Sequence, residues 1–440
     1  MKQKMGLLFL LLFFTSLFTG CQQTSVEQKP SVHLTLKVPT LAMTCTTNPE
    51  IREAYQVLTE AAADFSAQYK EADVTFDLVK FDLAQEDAYI PQCFDTDAAA
   101  DILYEDYFNM STYIHTGRVI PLDDIIDDDW RSDVPTPYWQ MSQLQEKTYM
   151  LPYLARQNVL GYNKDLFRQA GLEKYVTEQP DIQSWSPAEW DEVLSILAAR
   201  LPQNTYAMAM YAKNEQSDTH TMTWIRSKGS HFFDAEHYFH LNAPEGIAGL
   251  QWLKDNYDQD YYPPKAENLV VRDCGKLFAN GQLAIKMVNG PSAEASKKNI
   301  GLVNFPSADG HGLATTFVTG FEVFDNGDPV RLRVAKDFLK FFYHTEKYLD
   351  YSAGNMPVST KVTEKYKDKI YRLDAFQKNT PHVIDFMEGN PNWRGVRRVF
   401  YLHIQDLLRG TRSPAEVAED LDTDCNKAIN VGREKSTLHP

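Results

Sequence analysis

The sequence predicts an α/β protein built as two domains or as one large body with two lobes. The chain has 440 residues, 43% of them hydrophobic, which is enough for two domains with full hydrophobic cores. Segments with the alternating pattern of β-strands are followed along the chain by segments with helical periodicity. A strand–helix–strand order of this kind is typical of α/β layers with a parallel sheet.

The first predicted elements form one such layer. In parallel sheets, ligands bind at the carboxyl ends of the strands, so residues 44–48 and 105–109 are expected at a ligand-binding edge. The elements that lead to this edge are a strand at 32–38, a helix at 50–69, and strands at 74–79 and 101–104.

Further strands and helices are predicted along the rest of the chain. One helix has a clear start at Pro187, because Ser186 and Glu189 have the spacing of a capping box. The apolar residues 206–211 and 283–288 are predicted as strands. Other helices are predicted at residues 243–253, 271–280, 334–344, 396–408 and 414–428.

The charge balance excludes some classes of partner. The chain has 44 lysines and arginines against 60 aspartates and glutamates, a formal net charge of −16. Nucleic-acid binding and electrostatic docking on anionic lipid both need a basic surface, so neither is expected. Aromatic residues make up 12% of the chain, and aromatic side chains commonly line small-molecule clefts.

The N-terminal segment is predicted to direct export and not to belong to the fold. Lys2 and Lys4 precede an apolar run at residues 7–14, which is typical of a signal peptide covering residues 1–20. The apolar run is too short for a membrane-spanning helix, which needs about 20 residues.

The end of this segment resembles a bacterial lipobox, in which the cysteine after the cleavage site is lipidated. Residues 17–20 are Leu-Phe-Thr-Gly and precede Cys21. This resemblance implies an anchor to the outer face of the bacterial cell membrane, with residues 21–31 as a lipidated polar tether. An ordinary secretory signal is the alternative, and either interpretation exports the protein.

Four further cysteines leave three interpretations open. Cys45, Cys93, Cys274 and Cys425 can form disulfides in an exported protein, or remain as buried free thiols. A zinc site is the third interpretation, although no two of them have the close spacing typical of zinc ligands.

Motifs of common catalytic classes are absent from the sequence. It contains no G-x-S-x-G, H-E-x-x-H, G-x-x-x-x-G-K-[ST] or G-x-G-x-x-G pattern. No enzymatic activity, cofactor or metal is therefore predicted. A surface glycoside hydrolase remains an alternative, because that reaction needs only two carboxylates across a cleft.

Six segments of the chain follow the order of motifs in one protein family. They are residues 100–124, residues 151–153 with 161–172, residues 185–193, residues 278–291, residues 335–358 and residues 407–417. The most specific is Gly-Tyr-Asn-Lys-Asp-Leu-Phe at 161–167. Together these segments resemble the extracellular solute-binding lipoproteins of bacterial ABC importers, specifically the maltose-binding-like family 1, most of whose members carry sugars.

The resemblance implies a two-lobed periplasmic-binding-protein-like fold of type II. Each lobe is expected to be a mostly parallel sheet flanked by helices, with a ligand cleft between the lobes. The first lobe would comprise residues 32–156 and 301–353, and the second residues 157–300 and 354–440. The implied protein is a monomer that captures a sugar or oligosaccharide by hinge closure and delivers it to ABC permease subunits without catalysis.

The resemblance also implies a set of ligand-binding residues. Aromatic rings would stack on the apolar faces of a sugar, and planar polar groups would pair with its hydroxyls. For the acids, a solvated place at a helix start is the alternative, and for the tryptophans a place in the core. For Arg156 the alternative is a surface or inter-lobe salt bridge, and for Asn289 it is a role in shaping the turn. The expected residues are Glu105, Asp106, Tyr153, Arg156, Trp224, Asn289, Phe317 and Trp393.

The nature of the solute stays open. Ser292 stands where the family often has a tryptophan, so one stacking platform of maltodextrin binders is missing. A non-sugar solute such as a glycerol phosphate or a polyamine is the alternative on the same fold. An anionic ligand would need several convergent basic residues, for which Arg156 and Arg397 are candidates. A sensor or adhesin that never feeds a permease is a further alternative.

Overall fold

The structure is a computed structural model that describes residues 29–39, 53–82, 85–290 and 299–437. The predicted signal peptide, the lipidation site Cys21, Cys45, Ser292 and the predicted ligand-edge segment 44–48 lie outside these ranges. Across the described ranges, no helix is both long enough and apolar enough to span a membrane.

Most of the strands belong to one mixed sheet with the order β2-β1-β3-β11-β6-β10-β7. In addition, β9 pairs with β6 and β8, and β12 pairs with β11, whereas β4 and β5 form a separate hairpin. The bounds are β1 Ser31–Pro39, β2 Asp73–Phe81, β3 Ile102–Asp106, β4 Gln143–Leu144, β5 Lys147–Thr148, β6 Leu151–Asn163, β7 Ile182–Gln183, β8 Tyr206–Met208, β9 Leu283–Asn289, β10 Ile300–Val303, β11 Ala314–Val323 and β12 Val383–Ile384.

The described helices pack around this sheet. They are α1 Ala54–Gln68, α2 Glu86–Gln92, α3 Met110–His115, α4 Asp128–Asp133, α5 Thr136–Met141, α6 Lys164–Ala170, α7 Pro187–Arg200, α8 Asp218–Arg226, α9 Pro244–Asp258, α10 Val271–Ala279, α11 Pro329–His344, α12 Glu346–Asp350, α13 Thr360–Tyr366, α14 Leu373–Lys378, α15 Trp393–Arg409 and α16 Pro414–Glu434. The predicted capping box at the start of α7 is present, with the side chains of Ser186 and Glu189 each bonded to the other residue's backbone N–H.

The first lobe is built on the strands predicted at the start of the chain. Strand β1 pairs in parallel with β2 and β3, and helices α1 and α11 pack against this end of the sheet. Phe65 of α1 and Phe338 of α11 meet with ring centroids 5.5 Å apart. The apolar face of each helix is thus buried against the other and against the sheet, which gives the lobe its own core.

The second lobe is built on β8, β9, β10 and β7. Strand β8 is parallel to β9, and β10 is parallel to β7. Helices α7 and α10 pack on these strands, while α8, α9, α15 and α16 pack against one another beside them. Helices α15 and α16 are the longest of the described helices, and each buries one continuous apolar face, which includes Phe400 in α15 and Leu421 in α16.

Two long strands connect the lobes. Strands β6 and β11 run antiparallel to each other. Strand β11 also pairs with β3 of the first lobe, whereas β6 also pairs with β9 and β10 of the second lobe. Strand β11 also pairs in parallel with β12, so the sheet contains both parallel and antiparallel neighbours and is mixed.

A buried polar network lies where these strands pass between the lobes. The side-chain amide of Gln157 donates to the hydroxyl of Tyr138 at 2.8 Å and to the carbonyl of Phe376 at 2.7 Å. The amides of Asn304 and Asn379 donate to each other at 2.9 Å. The amide of Asn379 also donates to Gln157 at 3.2 Å. Because buried polar groups need partners, this network ties β6 to helices α5 and α14.

The three described cysteines are free and buried: Cys93, Cys274 and Cys425. The interpretation as free thiols therefore applies to these three, and no disulfide joins them. Burial raises the pKa of the Cys274 thiol to about 12, so this thiol is un-ionised at neutral pH. Within the described residues, no group of three or more potential metal ligands is assembled, and a zinc site receives no support from them.

Candidate functional site

A cleft of about 680 Å³ lies between the lobes, lined mostly by charged, amide and aromatic side chains. It is within the usual size range for the pocket of a small ligand. The lining residues are Asp82, Glu86, Asp106, Phe108, Arg156, Asn158, Tyr211, Glu215, Gln216, Asp218, Thr219, Val271, Met287, Asn289, Phe317, Arg394 and Arg397.

The floor of the cleft is one face of the sheet. Phe317 of β11 stands opposite Arg156 of β6, and Thr319 of β11 stands opposite Asp106 of β3. Further along β6, Asn158 stands opposite Asn289 of β9. Residues that are opposite or two apart share a face of a sheet, so the register alone brings these side chains onto one surface.

An ion pair lies at the centre of this floor. The Nη2 atom of Arg156 is 3.1 Å from both carboxylate oxygens of Asp106, and the hydroxyl of Thr319 also donates to this carboxylate. The side chains of Arg156 and Asp106 are only 16% and 11% exposed. Charge-assisted hydrogen bonds of this kind present planar donors and acceptors in a fixed orientation.

Helix α15 contributes two more arginines to the cleft, and both have carboxylate partners. The Nη2 atom of Arg394 lies 2.8 Å from Glu86 of α2, and its Nε atom donates to Asn109 at 2.8 Å. The Nε atom of Arg397 donates to Asp218, the first residue of α8, at 2.5 Å. The pair of Arg394 and Glu86 joins the second lobe to the first across the cleft.

Aromatic rings complete the lining. The rings of Phe108 and Phe317 have centroids 5.0 Å apart, and the guanidinium of Arg397 lies 4.9 Å from the centre of the Phe108 ring. Both phenylalanines are half-buried, so part of each ring faces the cleft. Tyr211 is 2% exposed, and its hydroxyl has no hydrogen-bond partner within the described parts of the chain.

Four of the eight residues expected to bind ligand line the cleft: Asp106, Arg156, Asn289 and Phe317. The other four are buried elsewhere. Glu105 is fully buried. Neighbouring residues of a strand point to opposite faces, so its side chain lies on the face of β3 opposite to that of Asp106. Its carboxylate oxygens have no partner among the described residues.

Tyr153 and the two tryptophans belong to the core instead of the cleft. The hydroxyl of Tyr153 donates to the carbonyl of Tyr348 at 2.6 Å, and the side chain is 7% exposed. Trp224 is 0% exposed and stacks on Trp252 with centroids 4.8 Å apart. Trp393 is 1% exposed, so neither tryptophan offers a ring face to a ligand in this structure.

Of the second-lobe wall, sequence reasoning named Asn289 as a ligand contact and Arg397 as a candidate for an anionic ligand, and it missed the rest. Part of this wall has a sequence signal. Helix α15 buries Trp393, Val396 and Phe400, which are spaced as one helical face. Arg394 and Arg397 are three residues apart and so share a different face, which turns to the cleft. The stretch from Glu215 to Thr219 carries no comparable pattern and is placed by the fold alone.

The family model for bacterial extracellular solute-binding proteins matches residues 48–347. The chain therefore belongs to this family of exported binding proteins. Two-lobed α/β architecture is confirmed by similarity to the solved sugar-binding protein MalE of Xanthomonas citri, with a TM-score of 0.74 at 15% identity. That similarity covers 92% of this chain and 98% of MalE.

Two relatives extend the comparison. A binding protein of Brucella abortus (strain 2308) is 22% identical over 372 residues, which is 82% of this chain and 87% of the relative. The sn-glycerol-3-phosphate-binding periplasmic protein UgpB of Rhizobium meliloti (strain 1021) is 24% identical over 304 residues, 64% of this chain and 66% of UgpB. The family and both relatives are described as binding proteins.

Proposed function

We propose that this protein captures a sugar or an oligosaccharide outside the cell and delivers it to the permease subunits of an ABC importer. One observation supports the ligand class above the others. A pair of half-buried phenylalanine rings, Phe108 and Phe317, lies in one cleft with the planar pair of Arg156 and Asp106. Rings suit the apolar faces of a sugar, and fixed planar donors and acceptors suit its hydroxyls.

The proposed action is binding, closure and release, without chemistry on the solute. Residues from both lobes line the cleft, so a ligand held there contacts both and favours the closed arrangement. The ion pair of Arg394 and Glu86 joins the two lobes. Wide opening of the cleft must therefore break this ion pair. We propose that the protein acts as a monomer and needs no cofactor.

The division into lobes is proposed from the predicted boundaries with one change. Residues 32–156 belong to the first lobe, and residues 157–300 and 354–440 to the second. Strand β10 pairs with the second-lobe half of β6 and with β7, so we place it in the second lobe. The return crossing then falls within β11, instead of at residue 301.

We also propose that Cys21 carries a lipid anchor after removal of residues 1–20. The predicted tether of residues 21–31 is shortened to 21–30, because Ser31 is the first residue of β1. A Cys21→Ser variant should then appear in the culture medium or the soluble fraction, whereas the wild type stays with the membrane. Fractionation followed by immunoblotting measures this. Equal membrane retention of both proteins would contradict the anchor and leave an ordinary secretory signal as the alternative.

A screen of purified protein against neutral mono- and oligosaccharides tests the proposed ligand class. A ligand that binds only the folded state at 100 times its Kd stabilises it by about 2.7 kcal/mol, which is visible as a thermal shift. Phe317→Ala should weaken binding of the identified sugar by about tenfold in calorimetric titration, because one stacking surface is lost.

The matched control is Tyr371→Ala, because Tyr371 is an aromatic residue outside the cleft that is 56% exposed. This variant should bind the sugar as the wild type does. Binding by no sugar, or equal affinity of wild type and Phe317→Ala, would contradict the proposal. The second candidate is a glycerol phosphate, favoured by the similarity to UgpB, and it belongs in the same screen.

A further inference from the structure

The arginines of the cleft are already paired with carboxylates, so their positive charges are not free to bind an anion. Among the described lining residues the basic side chains are Arg156, Arg394 and Arg397. Each of them is already hydrogen-bonded to a carboxylate of the same cleft, at 3.1, 2.8 and 2.5 Å respectively. The positive charges are therefore compensated before any ligand enters.

The carboxylates of Asp218 and Asp106 are held in place by burial or by a second hydrogen bond, so a ligand cannot easily displace them from their arginines. Asp218 is 1% exposed, and its carboxylate also accepts from the hydroxyl of Thr219. Asp106 is held by Thr319 as well as by Arg156. Removing a carboxylate from a buried guanidinium leaves an unpaired buried charge, which is strongly unfavourable. A phosphate group would have to displace these acids or lie beside them.

The cleft also contains two further acidic side chains and an uncharged tyrosine hydroxyl. Asp82 and Glu215 bring the described acidic lining residues to five, against three arginines. No hydrogen bond or ion pair joins the carboxylate of Glu215 to another described residue. The buried hydroxyl of Tyr211 is also without a partner among them, and it is neutral at physiological pH because burial raises its pKa.

We infer that the cleft takes a polyhydroxylated ligand without negative charge, and that the paired carboxylates exclude phosphorylated solutes. This inference rests on the proposed function and names the ligand class within it. Hydroxyl groups can donate to the carboxylates of Asp106, Asp218 and Glu215 and accept from the arginines without disturbing any pair. The oxygens of a phosphate dianion can only accept hydrogen bonds. Beside each arginine they would therefore be repelled by the negative charge of the carboxylate paired with it.

The inference predicts a gain of function. Purified wild-type protein should show no thermal shift with millimolar inorganic phosphate or sn-glycerol 3-phosphate. Asp218→Asn frees Arg397, and Asp106→Asn frees Arg156, while each keeps the shape of the side chain. Either variant should bind sn-glycerol 3-phosphate at least tenfold more tightly than the wild type. Calorimetric titration at low and moderate salt measures the change.

Glu419→Gln is the matched control, because it removes one negative charge from an exposed site on α16 outside the cleft. This variant should bind phosphate no better than the wild type. Two variants on different elements keep the test valid if one of them folds poorly, which circular dichroism monitors.

Wild-type binding of sn-glycerol 3-phosphate tighter than that of any neutral sugar would overturn the inference. So would an affinity for phosphate that stays unchanged in both aspartate variants. Neutral sugars serve as the separate check on the proposed function. If none of them binds while the aspartate variants gain phosphate affinity, the proposed function fails and the charge inference stands.

Discussion

Trp224→Ala is expected to lower the free energy of unfolding by about 3–5 kcal/mol, the usual range for removal of a buried tryptophan side chain. Trp224 is 0% exposed, and its ring contacts Trp190, Trp252 and Phe305 with centroids 5.5, 4.8 and 5.2 Å away. The substitution opens a large cavity among rings that cannot all move to fill it. Urea unfolding followed by fluorescence and circular dichroism measures the loss.

The matched variant is Trp224→Phe, which keeps an aromatic ring in the same place and should cost less. Sugar affinity, measured at a temperature where both variants are folded, should stay within a factor of about three of the wild type, because the ring does not line the cleft. A loss of affinity with unchanged stability would instead restore Trp224 as the ligand contact that its position in the family pattern predicted.

Arg156→Ala is expected to weaken binding of the proposed sugar by about 100-fold, or roughly 2.7 kcal/mol, as for a central and well-buried contact residue. Arg156 lies on the floor of the cleft beside Phe317 and directs its guanidinium to Asp106. Its removal takes away the donors that we propose for sugar hydroxyls. It also leaves the carboxylate of Asp106 with Thr319 as its remaining described partner. Calorimetric titration of wild type and variant measures this change.

Two controls separate a binding role from a structural one. Arg156→Lys keeps the charge but loses the planar donors, so it should recover only part of the affinity. Arg131→Ala removes a partly exposed arginine that pairs with Asp123 away from the cleft, and it should bind as the wild type does. Unchanged sugar affinity in Arg156→Ala would show that the floor of the cleft does not contact the ligand.

Local sequence patterns predicted most elements of the fold because they depend on neighbouring residues. The alternation at residues 32–38 became β1, and the capping box of Ser186 and Glu189 starts α7. Helix α11 begins at Pro329, five residues before the predicted start at 334, since Asp328 caps it. The ends of elements depend on such caps, which periodicity does not reveal.

The candidate site was predicted only in part, because its residues come from elements far apart in the chain. Asp106 and Glu105 are neighbours in sequence, yet one lines the cleft and the other is enclosed. Trp393 and Arg394 are likewise adjacent, and only the arginine reaches the cleft. The residue types at these positions are compatible with either role, and the direction of each side chain decides between them.

The sequence by itself determined the α/β class, the order of the elements and membership of the solute-binding family, since these follow from local patterns and motifs in register. Only the tertiary structure decided which side chains face the cleft, and which carboxylate neutralises each arginine. Arg156 meets Asp106, Arg394 meets Glu86, and Arg397 meets Asp218 across separations of 50, 308 and 179 residues. Such pairs exist because strand register and helix packing bring distant residues onto one surface, and sequence spacing carries no record of that contact.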